Sequence, residues 1–278
     1  MATTTAQGKL LSDVLATFKD TPNDRLREVI TSLVRHLHGF ADEVQLTQAE
    51  WLFGLQFLTE VGKKSSDERQ EFILLSDVLG LSSLVEMINY EGDAGATENT
   101  VLGPFYIPGA PKKQNGASII INEDGGPHLR VFGVVRSAGG SPIAGATLDI
   151  WQGGSNGLYP VQDPAQDPLN LKGVFTTDAE GRYEFTTLRP VVYPVPTDGP
   201  VGRLFEATGR HPNRAAHTHM IVSAPGYHSV TTHIFDSESP YLDSDAVFGV
   251  RESLIVQFQA QPDGTFTAEF DVTLTPKA

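Results

Sequence analysis

Residues 262–274 read PDGTFTAEFDVTL, and apolar side chains occupy every second position of residues 266–274. Successive side chains of a strand point to opposite faces of a sheet, so this alternation is typical of a strand with one buried face. The preceding Pro-Asp-Gly triplet is a turn signal that starts the strand. The stretch therefore predicts sheet structure near the C-terminal end of the chain.

The same period of two extends back along the chain to Gly103. The run at 129–135 leads into a Gly139-Gly140 turn, and the apolar stretch 146–151 follows it. Many short strands without long helices between them indicate a β-sandwich or a barrel. We therefore predict that residues 101–278 form an all-β domain.

The first hundred residues differ from the rest of the chain in composition. Only one of the 18 prolines and seven of the 27 glycines fall there. Apolar residues recur at helical spacing over residues 26–37, and Thr47-Gln48-Ala49-Glu50 is a capping box that predicts a helix start at Gln48. Residues 68–89 predict one further long helix that is apolar on one side. Both patterns stop at residues 92–100, which predicts a linker and a helical domain at residues 1–100.

The composition excludes several classes of protein. With 34 acidic and 20 basic residues, the net charge of −14 argues against a nucleic-acid-binding protein. The absence of cysteine excludes disulfides and thiolate sites, so any metal must be held by nitrogen and oxygen. No apolar run reaches the roughly 20 residues of a membrane helix, and the N-terminus has no apolar signal region. We therefore expect a cytoplasmic protein without membrane insertion.

Two histidines stand two positions apart in Arg214-Ala215-Ala216-His217-Thr218-His219. In a strand, His217 and His219 point to the same face, which presents two imidazoles to one metal ion. The alternative is a pair of solvated or hydrogen-bonded surface histidines, and the spacing alone does not exclude it.

Two tyrosines lie in loops that are suited to holding a functional side chain. Tyr159 follows the glycine-rich turn 153–157, and Tyr193 lies in the proline-rich segment 189–196. Either tyrosine is also compatible with an aromatic plug at a sheet edge. A phenolate oxygen is a hard ligand, however, and two Tyr with two His in a chain without thiolates suit Fe(III).

These motifs resemble the intradiol ring-cleavage dioxygenases, which are the non-haem ferric enzymes of the catechol 1,2-dioxygenase family. The segments that carry the resemblance are 33–38, 69–77, 156–159, 189–196, 209–219 and 223–227. Within the family, residues 193–202 and 241–250 are most similar to hydroxyquinol 1,2-dioxygenases. The resemblance implies a β-sandwich catalytic domain at residues 101–278 and a helical dimerisation domain at residues 1–100.

The resemblance implies four protein ligands for Fe(III), namely Tyr159, Tyr193, His217 and His219. It also implies that Tyr193 leaves the iron when substrate binds and then acts as a base, because a phenolate released from a cation recovers its affinity for a proton. It places Arg214 near the ring, where a guanidinium stabilises developing negative charge. A sheet-edge ion pair is the alternative role for Arg214.

His233 stands where catechol enzymes carry a glutamine after a Thr-Thr pair, and hydroxyquinol-type sequences resemble this chain at that position. We interpret His233 as a hydrogen-bond donor next to the ligands. A direct approach of its ring to the iron is the alternative.

The resemblance also implies a substrate pocket that both halves of the chain line. The residues carried over are Leu74, Asp77, Val101, Gly103, Pro104, Phe105, Val195, Pro196, Arg214 and Val247. Asp77 suggests a substrate with a third ring hydroxyl, because a carboxylate accepts a hydrogen bond from such a group. An exposed helix carboxylate is the alternative interpretation of Asp77.

The family implies an enzyme that inserts both atoms of O2 between two vicinal hydroxyl carbons of an aromatic diol or triol. For hydroxyquinol, which is 1,2,4-trihydroxybenzene, the product is 3-hydroxy-cis,cis-muconate, the enol form of maleylacetate. Catechol and chlorocatechol stay open as substrates. A sandwich module that binds an aromatic or lipid ligand without turnover fits the strand pattern equally well.

The helical half carries an apolar stripe that is too broad for a thin β-rich core to cover completely. Its residues are Phe72, Leu75, Val78, Leu79, Leu81 and Leu84. Exposed apolar surface of that extent normally marks an interface. We expect a homodimer through the N-terminal helices, as the resemblance also implies, and whether these helices hold lipid stays open.

Overall fold

The computed structural model describes residues 6–90 and 95–277. By its internal contacts the chain divides into two compact units, Met1–Thr59 and Glu60–Ala278. Residues 92–94 of the predicted linker lie outside the described residues. The predicted domain boundary at residue 100 stays a prediction.

The chain begins with three helices, α1 (Ala6–Ala16), α2 (Asp24–Glu43) and α3 (Gln48–Lys64). The capping box at the start of α3 forms as predicted. The Thr47 N–H donates to the Glu50 carboxylate (2.8 Å), and the Glu50 N–H donates to the Thr47 hydroxyl (3.3 Å). The predicted helix start at Gln48 is confirmed, because these two bonds satisfy N–H groups that the first turn leaves free.

The single helix predicted for residues 68–89 is wrong, because the structure has two helices there. They are α4 (Glu71–Val78) and α5 (Leu81–Tyr90). Gly80 separates them with φ of 74°, a left-handed conformation that ends helices and favours glycine. An apolar period continued across this break, so the sequence pattern concealed it. A sixth helix, α6 (Pro200–Thr208), follows later in the chain.

Twelve strands make up the sheets of the described chain. They are β1 (His128–Ser137), β2 (Thr147–Trp151), β3 (Lys172–Thr176), β4 (Arg182–Leu188), β5 (Tyr193–Pro194), β6 (Asn213–Arg214), β7 (His217–Ser223), β8 (Val230–Asp236), β9 (Ile255–Val256), β10 (Gln259–Ala260), β11 (Phe266–Glu269) and β12 (Val272–Leu274).

Two five-stranded sheets and a two-stranded ribbon result. In the first sheet β1 pairs antiparallel with β4 and parallel with β11 and β12, while β10 pairs with β11. The second sheet has the order β3-β2-β7-β8-β9, and the ribbon pairs β5 with β6. Leu129 and Val131 from the first sheet share one buried core with Leu148 and Ile150 from the second. The predicted β-sandwich is confirmed, and the alternative prediction of a barrel is wrong.

The alternating stretch 266–274 forms two strands, β11 and β12, instead of one. Between them the Phe270 carbonyl accepts a hydrogen bond from the Tyr183 hydroxyl (2.5 Å), and the Asp271 carboxylate accepts one from the Val134 N–H (2.8 Å). Side chains therefore replace part of the backbone ladder at this point. The predicted buried face persists through the interruption, since Ala268, Val272 and Leu274 are all buried.

None of the helices within residues 6–90 and 95–277 combines the length and apolarity that crossing a bilayer requires.

Candidate active site

Four donor atoms converge in the interior of the second unit. The Tyr159 hydroxyl lies 2.9 Å from the Tyr193 hydroxyl and 2.7 Å from His219 Nε2. His217 Nε2 lies 3.2 Å from His219 Nε2 and 3.3 Å from the Tyr193 hydroxyl. None of the four residues is more than 7% exposed. The structure thus brings together all four residues that are predicted as ligands, and the burial of His217 and His219 shows that they are not surface histidines. Their role as iron ligands stays a prediction.

Strand β7 positions both histidines. His217 and His219 are two residues apart on it and share one face, as the sequence predicts. His219 lies opposite Trp151 of β2 and His233 of β8 in the sheet register. The Trp151 ring stacks on the His219 ring with centroids 4.6 Å apart and an interplanar angle of 14°. Neighbouring strands therefore fix the orientation of His219 from both sides.

The two tyrosines reach the histidines from irregular segments. Gly157, just before Tyr159, has φ of 77°, and a Cβ atom there would lie 3.1 Å from the Cβ of Tyr193. Glycine is needed there both for the backbone conformation and for the close approach of the Tyr193 segment. Tyr193 lies on β5 and pairs with Arg214 of β6. This two-stranded ribbon places Arg214 and Tyr193 side by side.

Burial sets the protonation of the four groups. It holds the pKa of His217 and of His219 well below the ordinary value, and the nearby Arg214 charge lowers both further. Burial also raises the pKa of Tyr159 well above 10 and raises that of Tyr193. His217 Nδ1 bonds to the Ala215 carbonyl (2.6 Å), so the Nε2 lone pair faces the centre of the cluster. Two neutral imidazoles and two hydroxyls around one point are a donor set that fits a cation, which would also favour the phenolate forms.

His233 lies against the two histidines through its ring. Its centroid is 4.5 Å from that of His217, with the rings nearly parallel, and 4.2 Å from that of His219. Donor atoms of these three histidines all lie within 4.8 Å of one another, a grouping that suits a metal ion. Neither His233 nitrogen has a hydrogen-bond partner of normal geometry among the described residues. The predicted donor role of His233 stays a prediction.

Arg214 is buried beside the cluster and paired with a carboxylate. Its Nε lies 3.1 Å from Asp245 Oδ1, and both side chains are almost fully buried. Its Nη1 lies 3.0 Å from His217 Nε2. Burial lowers the pKa of Arg214, but the Asp245 carboxylate and the phenols of Tyr193 and Tyr159 together outweigh that effect and raise it. Arg214 therefore forms an ion pair, as the alternative interpretation proposes. It also lies next to the predicted ligands, as the resemblance implies.

A small cavity opens next to the cluster. It contains about 10 Å³ of free volume, which is room for about one water molecule. Its wall includes every predicted pocket residue except one: Leu74, Asp77, Gly103, Pro104, Phe105, Val195, Pro196, Arg214 and Val247. Val101 is buried but does not line this cavity, and its backbone lies beside His233 instead.

Asp77 projects from α4 into this cavity and is only 1% exposed, so the exposed-carboxylate alternative is wrong. Neither of its carboxylate oxygens has a hydrogen-bond partner of normal geometry among the described residues. The nearby Ser82 hydroxyl donates to Ser76 instead (2.8 Å). Burial raises the pKa of Asp77 to about 6, although Ser82 and the Arg214 charge oppose the rise. A buried carboxylate that lacks a well-formed hydrogen bond is costly to the fold.

Two residues of the site were missed at the sequence level. Trp151 lines the cavity and stacks on His219, and Asp245 holds Arg214. The end of the apolar run 146–151, just before the glycine-rich turn, was an available signal for Trp151. No local pattern links Asp245 to Arg214, because 31 residues separate them.

Comparison with known proteins identifies the class. Residues 101–276 match the family model described as "Dioxygenase", and residues 23–97 match "Catechol dioxygenase N terminus". The chain is 48% identical over 270 residues to 6-chlorohydroxyquinol 1,2-dioxygenase of Cupriavidus pinatubonensis, covering 97% of this chain and 98% of the relative. It is 47% identical over 251 residues to hydroxyquinol 1,2-dioxygenase of a Rhizobium species, covering 90% of this chain and 85% of the relative.

A solved structure has the same fold. The hydroxyquinol 1,2-dioxygenase of Pseudomonas putida superimposes with a TM-score of 0.87 at 42% identity, covering 98% of this chain and 99% of that one. The chain therefore belongs to the intradiol ring-cleavage dioxygenases and is an enzyme of that type. Its resemblance within the family is to the hydroxyquinol 1,2-dioxygenases, as the sequence motifs indicated. Family membership also counts against the non-catalytic binding module.

Proposed function

We propose that this enzyme uses Fe(III) and O2 to cleave hydroxyquinol between its vicinal hydroxyls during the degradation of aromatic compounds. The product is 3-hydroxy-cis,cis-muconate, the enol form of maleylacetate. The observation that carries the proposal is the position of Asp77. Its unpartnered carboxylate and the hydroxyls of Tyr159 and Tyr193 line one cavity. The names of two similar relatives, a hydroxyquinol 1,2-dioxygenase and a 6-chlorohydroxyquinol 1,2-dioxygenase, support a trihydroxylated ring as substrate.

Tyr159, Tyr193, His217 and His219 would hold the iron. Their donor atoms are already oriented toward one another, and two phenol oxygens suit a hard trivalent ion better than imidazoles alone do. When bound, Fe(III) supplies the Lewis acidity and the electron-accepting capacity that activate an aromatic diol toward O2. His233, stacked on His217, helps to fix the orientation of that ring.

Tyr193 is the proton acceptor in this proposal. The free volume of about 10 Å³ is smaller than an aromatic ring, which fits the proposal that Tyr193 leaves its place in the cavity wall when substrate binds. Burial raises the pKa of its phenol, so a phenolate freed there takes up a proton from a substrate hydroxyl.

Arg214 supplies fixed positive charge beside the reacting ring. Asp245 holds its guanidinium from one side, which leaves Nη1 directed at the His217 edge of the cluster. A buried cation in this position stabilises negative charge that develops on the substrate, and low local polarity strengthens the effect. Arg214 therefore orients and stabilises the deprotonated diol.

Asp77 accepts the hydrogen bond of the third hydroxyl. We expect Asp77→Ala to lower kcat/KM for hydroxyquinol by about 5- to 150-fold, equivalent to about 1 to 3 kcal/mol, because one buried hydrogen bond is left unmade. Catechol has no hydroxyl at that position and should be affected little. Steady-state oxygen uptake with both substrates measures the two values in one preparation.

Asp77→Asn is the matched control, since it keeps the size of the side chain and removes its titration. With a pKa of about 6 the Asp77 carboxyl changes from mostly protonated to mostly ionised as pH increases through 6, so the ratio of hydroxyquinol to catechol kcat/KM should rise over that range in the wild type. In Asp77→Asn this rise should disappear. An equal loss for both substrates in Asp77→Ala would show that the carboxylate is structural.

Catechol and chlorocatechol are the second candidate substrates. Solved catechol 1,2-dioxygenases share the fold, for example that of Acinetobacter radioresistens at 29% identity and a TM-score of 0.87. The site tolerates them in this proposal, because the iron ligands and Arg214 act on the vicinal hydroxyls that all these rings share. The third hydroxyl and Asp77 supply the preference for hydroxyquinol.

The N-terminal helices are proposed as a dimer interface. Two residues of the predicted apolar stripe, Leu75 and Val78, are buried within the chain itself. Exposed apolar residues recur along α2 at Leu26, Leu33 and Leu37. Light scattering at micromolar concentration is expected to give twice the 30.1 kDa chain mass. A monomeric mass would contradict the dimer.

A further inference from the structure

Arg210 stands at the end of α6, outside the cavity wall. Gly209 ends this helix with φ of 66°, and its N–H donates to the Glu206 carbonyl. The Arg210 N–H then donates to the Phe205 carbonyl (3.1 Å). These are the two hydrogen bonds of a Schellman ending, which turns the chain and aims the Arg210 side chain back across the helix end.

The Arg210 guanidinium joins two backbone carbonyls from distant parts of the chain. Its Nη1 donates to the Val78 carbonyl (2.8 Å), and its Nη2 donates to the Ala246 carbonyl (3.0 Å). Val78 follows Asp77, and Ala246 precedes Val247. Asp77 and Val247 both line the substrate cavity. One side chain thus ties together the backbone beside two wall residues.

The Val78 carbonyl belongs to the last turn of α4, whose carbonyls lack partners within the helix. An arginine is suited to this place because its positive charge favours a helix C-terminus and its planar fork reaches two acceptors at once. A lysine has a single charged nitrogen and does not present the same fixed pair of donors. A lysine at this position would therefore keep the favourable charge at the helix end but not both hydrogen bonds.

The segment on the other side of Arg210 is held in an unusual conformation. Phe248, which follows Val247, has φ of 57°, a left-handed conformation that is uncommon for a bulky residue. The Arg210 guanidinium lies 5.2 Å from the ring centroids of both Phe248 and Phe205. The Ser83 hydroxyl donates to the Phe248 carbonyl (2.8 Å). The Arg251 guanidinium also donates to the Phe248 carbonyl (3.1 Å), so several contacts, that of Arg210 among them, maintain this conformation next to the cavity.

We infer that Arg210 is a positioning residue that sets substrate selectivity by fixing Asp77 relative to Val247. It touches neither the cavity nor the proposed iron ligands, so it acts only through these two wall residues. The inference depends on the proposed function, since it requires that Asp77 accept the third hydroxyl. Losing the two carbonyl contacts removes the direct link between the end of α4 and Ala246 and leaves the Ser83 hydrogen bond to Phe248 as a remaining link. The position of Asp77 relative to Val247 is then less well defined, which loosens the fit to hydroxyquinol more than to catechol.

The test compares Arg210→Met and Arg210→Lys with the wild type in the iron-loaded enzyme. Arg210→Met is expected to lower the ratio of hydroxyquinol to catechol kcat/KM at least fivefold, while iron content and visible absorption stay unchanged. Arg210→Lys should give a smaller fall, because it keeps the charge. Arg130→Met is the matched control: Arg130 also lies over a ring, that of Phe132, and bonds to Glu184 on β4. In Arg130→Met the ratio of hydroxyquinol to catechol kcat/KM should stay within twofold of the wild-type ratio.

The double variant Arg210→Met with Asp77→Ala separates the two proposals. If Arg210 acts through Asp77, the ratio of the double variant should equal that of Asp77→Ala alone. A normal ratio in Arg210→Met beside a lowered ratio in Asp77→Ala would overturn the role of Arg210 and leave the proposed function standing. An unchanged ratio in Asp77→Ala would overturn both. Should Arg210→Met fail to fold, the ratio in Arg210→Lys decides, and an equal loss for both substrates shows a merely structural role.

Discussion

Replacing His217 by alanine, or Tyr159 by phenylalanine, is expected to abolish ring cleavage together with most of the bound iron. Each change removes one of four converging donor atoms, and metal affinity depends on the number and geometry of the ligands. Tyr159→Phe is the sharper variant, because it keeps the buried ring and deletes only the hydroxyl oxygen. The loss of affinity should exceed the roughly 10- to 100-fold that removal of an outer hydrogen-bonding partner costs.

Iron per chain by elemental analysis and the visible tyrosinate absorption band are the readouts of this prediction. His128→Ala is the control, since His128 is an exposed histidine that bonds to Glu123. It should keep full iron content and full activity. Full iron content in both His217→Ala and His219→Ala would refute the ligand assignment.

Tyr193→Phe is expected to reduce kcat by about 100- to 10,000-fold, the usual range for loss of a positioned base. Substrate affinity should change much less, because the missing hydroxyl acts in proton removal after the diol arrives. Rates are to be normalised to bound iron, since the variant also lacks one ligand. Rapid kinetics with pre-bound hydroxyquinol then measure the chemical step by itself.

The wild type offers an independent check of the same role. If Tyr193 is released on substrate binding, anaerobic addition of hydroxyquinol should diminish the tyrosinate contribution to the visible spectrum. Tyr159, held by the segment around Gly157, should keep its own contribution. A tyrosinate spectrum that is identical before and after anaerobic addition would contradict the release of Tyr193.

The sequence predicted those parts of the site that depend on local periodicity. His217 and His219 share a face because they are two residues apart in a strand, and the capping box defines the start of α3 at Gln48. The convergence of Tyr159 and Tyr193 on those histidines came from family resemblance, since nothing in the spacing of 34 residues between them requires it. The distance between residues that are far apart in the sequence depends on how the whole β-sandwich folds, which local patterns do not show.

The features that sequence reasoning missed depend on tertiary contacts. The ion pair of Asp245 with Arg214 and the stack of Trp151 on His219 join segments that are far apart in the chain. The helix break at Gly80 was concealed because apolar residues continue on both sides of it. For Asp77 the sequence left two interpretations open, and its burial excludes the exposed carboxylate, which no local pattern could have done. Its role toward a third ring hydroxyl stays a proposal.

The measurement that tests the central claim most directly is product analysis after incubation of the iron-loaded enzyme with hydroxyquinol under isotopically labelled O2. The proposed function predicts equimolar consumption of oxygen and hydroxyquinol. It also predicts that maleylacetate, or its enol 3-hydroxy-cis,cis-muconate, carries both labelled oxygen atoms when it is quenched before exchange with water. Absence of oxygen consumption, release of hydrogen peroxide with an intact ring, or cleavage outside the two vicinal hydroxyl carbons would contradict it.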